Sequence, residues 1–233
     1  MILIYKLLLA LLPVLLMLYY VYHKGEGNQI LSKVLVASFI GGFMLMLPTH
    51  LISIILYEVG LYTKGDQTVS ETLWRMFITG AMLEELLKFG VFIVTLKFAY
   101  KPRGGGVVVI AAFVGLGFAS DENLLYIMTS DNWVATGIAR ALLSVTDHFS
   151  YGVVMGALYF YAYHCHKAGF IVYPLALILP ISLHWLGNAI LITPALDEWD
   201  IVLAPVWSIT LFVLACRLIK KTCEISGQMN ALV

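Results

Sequence analysis

Apolar residues run along this chain in blocks of roughly twenty, the length a helix needs to cross a bilayer core, and short polar stretches separate the blocks. The blocks predict about seven transmembrane helices, at Ile2–Tyr22, Leu31–Tyr57, Trp74–Phe98, Gly106–Met128, Val134–Tyr163, Phe170–Thr193 and Ile201–Ile219. The first carries a single Lys6 near its start, and no small-x-small cleavage site follows it, so it reads as a retained helix. No internal repeat, low-complexity tract or soluble domain interrupts the series. Residues 1–233 therefore read as one integral membrane domain of the all-α class, a polytopic transmembrane helical bundle.

Composition agrees. The chain is 61% hydrophobic and only 12% charged, with a mean hydropathy of +0.91, whereas soluble domains carry about a quarter charged residues. The formal net charge is zero, and nothing in that balance suggests nucleic acid. Gly104-Gly105-Gly106 lacks the Gly-Lys-Ser/Thr ending of a phosphate-binding loop, so nucleotide is not expected; the run reads as a turn beside Lys101-Pro102-Arg103.

Lysine and arginine set the orientation. Lys24, Lys33, Lys97, Lys101, Arg103, Lys167, Arg217, Lys220 and Lys221 fall on one side of the predicted bundle. The other side is acidic, with Asp66, Glu71, Asp131, Asp197, Glu198 and Asp200, and holds only Lys6, Lys64 and the helix-edge Arg75. The basic side is expected to be cytoplasmic, with the N-terminus outside and the C-terminus inside. Cys165, Cys216 and Cys223 then lie on cytoplasmic loops or helix ends, and they form no CxxC pair.

Ionisable groups inside hydrocarbon cost at least about 2.5 kcal/mol at the centre on insertion scales and by default mark function. Here they fall in four successive spans. The third holds Glu84, Glu85 and Lys88, with Glu84 and Lys88 four apart on one face. The fourth holds Phe118, Asp121, Glu122 and Asn123; the fifth Arg140, Asp147 and His148; the sixth His184 and Asn188. Arg140 and His148 are eight apart, two turns along roughly one face of one helix. At 1.5 Å per residue the glutamate pair lies about 15 Å below the outer end of its helix and Glu122 about 9 Å short of its own outer end. Gly80, Gly115, Gly117, Gly152, Gly156 and Gly187 surround these positions, and small residues let membrane helices approach closely. Each motif alone has a plainer reading. Glu84 with Lys88 is a common internal ion pair, a single histidine is commonly a hydrogen-bonding group, and Arg140 neutralises a neighbouring carboxylate. The conjunction is what points to a site.

At these residues the chain resembles the PrsW-type intramembrane proteases, whose pattern is Glu-Glu-x-x-Lys, Phe-x-x-x-Glu-Asn, a lone histidine, then His-x-x-x-Asp/Asn. The chain supplies Glu84-Glu85-x-x-Lys88, Phe118-x-x-x-Glu122-Asn123, His148 and His184-x-x-x-Asn188, one per successive helix. It is more distantly similar to the CAAX prenyl proteases, which carry Arg where this chain has Lys88 and His where it has Glu122, and to the APH-1 scaffold subunit of γ-secretase. The resemblance implies a membrane-embedded peptidase of the cell membrane with a core at about residues 74–193. It implies Glu84, Glu85, Glu122, His148, His184 and Asn188 as catalytic residues, supported by Lys88, Asn123, Arg140 and Phe118. Glu84 or Glu85 would be the base, one holding a proton while the other acts. Glu85, Glu122, His148 and His184 are the implied ligands of a divalent metal such as zinc, and a metal-free glutamate mechanism is equally compatible with the residues. The implied substrate is a single-span regulatory membrane protein of the anti-sigma-factor kind, cut on the non-cytoplasmic side. The competing readings are an ion- or proton-coupled transporter, against which stand small size and the absence of paired broken helices, and a non-catalytic scaffold.

Overall fold

The computed structural model describes residues 1–63, 68–99, 104–164, 169–192 and 199–230. Lys64, Asp66, Lys101, Arg103, Cys165, Lys167, Asp197 and Glu198, used above for orientation and cysteine placement, lie outside the described residues.

The described residues form an all-helical bundle. Its elements are α1 (Ile2–Lys24), α2 (Ser32–Phe43), α3 (Met46–Glu58), α4 (Val69–Arg75), a π-helical segment (Met76–Met82), α5 (Leu83–Phe98), α6 (Gly104–Thr129), α7 (Trp133–Leu142), α8 (Ser144–His164), α9 (Gly169–Ile192) and α10 (Asp200–Asn230). Helices occupy the described residues of all seven expected stretches, three of which are composite. Five stretches are long and apolar enough to cross a membrane by themselves: Ile2–Lys24, Ser32–Glu58, Gly104–Thr129, Val172–Leu191 and Asp200–Gln228. The other two expected spans are the ones carrying Glu84, Glu85 and Lys88, and Arg140, Asp147 and His148.

The breaks have local causes. In the second span the helix stops at Met44–Leu45 and restarts as α3. Pro48 sits in the first turn of α3 and has no N–H to give the Met44 carbonyl, so the ladder fails there. In the third span the π segment packs against α9 and runs directly into α5, one residue ahead of the glutamate pair. Such bulges recur at functional sites. The fifth span is interrupted at Leu143, which separates α7 from α8. Arg140 and His148 therefore stand on two helices and not on one as the spacing predicts, yet both side chains reach Glu122 Oε2. The last helix runs on to Asn230, past the expected end at Ile219, so Cys216 and Cys223 lie within a helix and not on a loop. Cys216 accepts a hydrogen bond from the Tyr20 hydroxyl at 3.1 Å.

Helix α6 is the axis. Of its most apolar stretch 89% is buried inside the protein, against 11% for α1. Helices α1, α2, α5, α8 and α10 pack around it. Phe92, Phe118, Phe149 and Phe160 are fully buried in this core. Leu12, Leu16, Ile40, Val94 and Ile209 are exposed at the periphery, as expected of residues that face lipid. Between helices in a bilayer there is little hydrophobic gain, so closeness of packing does the holding. The sequence of α6 supplies it. A Cβ at Gly117 would collide with the Phe39 carbonyl oxygen of α2, and one at Gly115 would lie 2.6 Å from the His148 carbonyl oxygen of α8.

Candidate functional site

The π segment delivers Glu84 and Glu85 to the start of α5, one turn ahead of Lys88. Glu85 and Lys88 are 1% and 2% exposed. The Lys88 ammonium donates to Glu85 Oε1 at 2.8 Å and to Glu84 Oε2 at 3.3 Å. It lies 3.1 Å from His148 Nδ1 and 3.9 Å above the centre of the Phe118 ring. An ammonium has only donors, so His148 Nδ1 accepts, and the ring proton is on Nε2. That Nε2–H donates to Glu122 Oε2 at 2.9 Å.

Glu122 is also held from α7. Arg140 Nη2 donates to Glu122 Oε2 at 2.6 Å and to Ser144 Oγ at 2.7 Å, while Arg140 Nε donates to Asn123 Oδ1 at 2.7 Å. Asn123 in turn donates to the Ala10 carbonyl at 3.3 Å, tying this group to α1. On the far side, His184 Nδ1 lies 2.9 Å from Glu85 Oε1. Facing a carboxylate, Nδ1 carries the proton, which leaves the Nε2 lone pair directed 3.9 Å from Glu84 Oε2. One continuous chain of polar contacts thus runs Arg140, Glu122, His148, Lys88, Glu85, His184. With Glu84, which branches from Lys88, three carboxylates meet one guanidinium and one ammonium. One negative charge is unmatched, a cost in low dielectric that a proton or a further cation offsets.

A cavity of about 560 Å³ opens onto this chain. Glu84, Glu122, Arg140, His148, His184 and Asn188 line it, and Thr49, His50 and Ser53 of α3 form part of its wall. Glu85 and Lys88 lie behind Glu84 and do not reach it. Asn188 has no hydrogen-bond partner among the described residues, and its amide nitrogen lies 3.3 Å from where a Cβ on Gly80 would stand. Every residue expected at the site is therefore in or directly behind one hollow. Phe118 and Asn123 are fully buried supports. Asp147 lines the cavity outside the polar chain.

Sequence reasoning missed Tyr151 and Ser144. The Tyr151 ring stacks on His184, with centres 5.1 Å apart and planes at 18°, and meets His148 edge-on at 5.9 Å. Its spacing, three after His148, was the available signal; Ser144, four before His148, offered the same.

Glu84, Glu85, His148 and His184 each present one ligand atom, and these atoms lie within 4.8 Å of one another. Glu122, an expected ligand, is outside that group and Glu84 is inside it. Two carboxylates with two imidazoles suit zinc. Glu85 Oε2, buried and without a partner among the described residues, is a spare donor for such an ion. The residues present fit a divalent metal.

Comparison with known proteins follows the same line. Residues 32–216 match the family described as PrsW family intramembrane metalloprotease. The chain is 33% identical over 190 residues to Protease PrsW of Halalkalibacterium halodurans, covering 78% of this chain and 81% of that one. It is 30% identical over 215 residues to Protease PrsW of Geobacillus kaustophilus, covering 90% and 88%. It is 27% identical over 219 residues to Protease PrsW of Bacillus subtilis, covering 92% and 94%. No solved structure matches the chain. The chain is a multi-pass membrane protease, and it belongs to the PrsW family of intramembrane metalloproteases.

Proposed function

We propose that the chain is an endopeptidase that cuts single-span regulatory proteins, of the anti-sigma-factor kind, within or just outside the outer half of the cell membrane. The observation that carries this reading is the difference between the paired glutamates. Glu84 lines the cavity with its side chain 13% exposed, while Glu85 is 1% exposed and bound to Lys88 and His184. A water in the cavity reaches Glu84 first.

Hydrolysis then needs three things from this chain. Glu84 takes a proton from the attacking water as its oxygen bonds to the carbonyl carbon. The unpartnered Asn188 amide donates to the oxyanion that forms. Glu84 returns the proton to the amide nitrogen as the C–N bond breaks, leaving a carboxylic acid and a free amine. Glu122 and Arg140 hold His148 in one tautomer, and Tyr151 fixes the His184 ring by stacking. Glu85, His148 and His184 would hold the metal, three ligands with an open position as in catalytic zinc sites; when bound, the ion supplies a Lewis acid that sharpens the water and the carbonyl. The motif-bearing core at about residues 74–193 carries every one of these side chains, and the charge asymmetry supports an outside N-terminus and a cytoplasmic C-terminus.

The test is reconstitution of the purified chain with tagged single-span substrates, comparing wild type with Glu84→Gln and His184→Ala. Cleavage abolished by both supports the protease mechanism. Solute uptake without cleavage would favour a transporter, and neither activity a scaffold. Cleavage solely on the cytoplasmic flank of the substrate would overturn the assigned depth.

A further inference from the structure

Lys88 contacts three of the four residues that form the candidate metal group. Its Nζ lies 3.3 Å from Glu84 Oε2, 2.8 Å from Glu85 Oε1 and 3.1 Å from His148 Nδ1, and the Phe118 ring closes the side below. An ammonium has three hydrogens, and three acceptors surround this one. The one lone pair that His148 can give a metal ion, on Nδ1, is the one the lysine is using, and the lysine also occupies Glu85 Oε1 while Oε2 stays open to the ion. An ammonium of the chain itself therefore holds the seat between the ligands.

We propose that Lys88 is a built-in counter-ion that competes with the divalent metal for Glu85 and His148, so that the ion enters as the ammonium withdraws. This rests on the metal reading given above. Three features carry it. Two cations sharing one set of ligands in low dielectric repel strongly. Among the described residues only these acceptors and the Phe118 face hold the ammonium, and its four-carbon stem is flexible enough to withdraw. Arg140, the other cation of the cluster, has no such freedom, because Glu122, Asn123 and Ser144 pin its guanidinium. The cluster thus contains one fixed cation and one displaceable one. In the metal-free protein the displaceable cation keeps the neighbouring carboxylates from facing each other uncompensated.

The full chain, purified in detergent and stripped of metal, is titrated with zinc against a chromophoric chelator, wild type beside Lys88→Met. Methionine keeps the length of the stem and removes the charge. The expected result is zinc binding about tenfold or more tighter in Lys88→Met, the equivalent of one charge-assisted hydrogen bond no longer in competition. Equal or weaker binding by Lys88→Met, with wild type binding one ion, overturns the competition and leaves the metal reading intact. No zinc bound by either protein overturns both. A second measurement needs no variant. Zinc should raise acylation of Lys88 by a small succinimidyl ester several-fold in wild type, read by mass spectrometry, as the amine leaves its buried seat for the cavity. Unchanged labelling on saturation with zinc overturns the proposal whatever the fate of the methionine variant.

Discussion

Glu84 and Glu122 sit in one cluster and are held in opposite ways. Glu122 receives Arg140, His148 and, at 3.5 Å, Ser144 on one oxygen. Among the described residues Glu84 has a single hydrogen bond, at 3.3 Å from Lys88, and it faces the cavity. Both carboxylates line the cavity, so what separates them is the number of donors. A membrane-embedded carboxylate held by several donors keeps other groups in place, and one held by a single long hydrogen bond is available for a proton. The two halves of the cluster differ in the same sense: the Arg140 half is densely cross-linked and anchored to α1 through Asn123, while the half containing Glu84 and Asn188 is sparsely bonded.

The sharpest way to break that contrast is Glu84→Gln, which keeps the shape and removes the basic oxygen. Cleavage should fall by about 10²–10⁴, the usual worth of a general base, with the unfolding transition close to wild type; substrate cut at the wild-type rate in single-turnover assays would collapse the distinction. Next comes Arg140→Met, which leaves Glu122 buried without its cation. A loss of about 3 kcal/mol is expected for half of a broken buried pair, read from denaturation midpoints in detergent, and adding Glu122→Gln should restore part of it. On the sparsely bonded side, Asn188→Ala should lower kcat by about 10²-fold with KM little changed, as for loss of an oxyanion donor. A fall in stability instead of kcat would move Asn188 to the cross-linked half.

The smallest effect lies beyond the expected spans, where Thr68 and Glu71 cap α4 by reciprocal hydrogen bonds. The Thr68 backbone N–H and hydroxyl hold the Glu71 carboxyl below its usual range. A depressed carboxylate contributes stability above its unfolded-state value and loses it as the pH falls through the folded one. Melting curves of wild type and Thr68→Ala should therefore differ slightly at neutral pH and converge in acid.

Much of this was legible from spacing. Glu84 with Lys88, Phe118 with Glu122 and His184 with Asn188 are four apart, and helix geometry puts each pair on one face. Their convergence followed from four neighbouring spans carrying groups at similar depth. The breaks were harder to see. Pro48 is in the sequence, but a twenty-residue hydropathy reading averages across it. The break at Leu143 has no proline or glycine to announce it, so Arg140 and His148 read as parts of one helix. The π segment leaves no mark on hydropathy at all. Which glutamate faces the hollow depends on that segment's extra residue per turn, so periodicity alone left Glu84 and Glu85 equivalent.

The missing methyl at Gly115 has a consequence for how the reacting groups are dimensioned. Helix α8 rests its backbone on that position at the very residue, His148, that links Glu122 to Lys88. Gly115 acts as a gauge block of minimum thickness. Enlarging it by one carbon moves the imidazole before it disturbs anything else, and a hydrogen bond of 2.9 Å has only a few tenths of an ångström of tolerance. A substitution that touches no charged atom would thereby set the calibration of all of them.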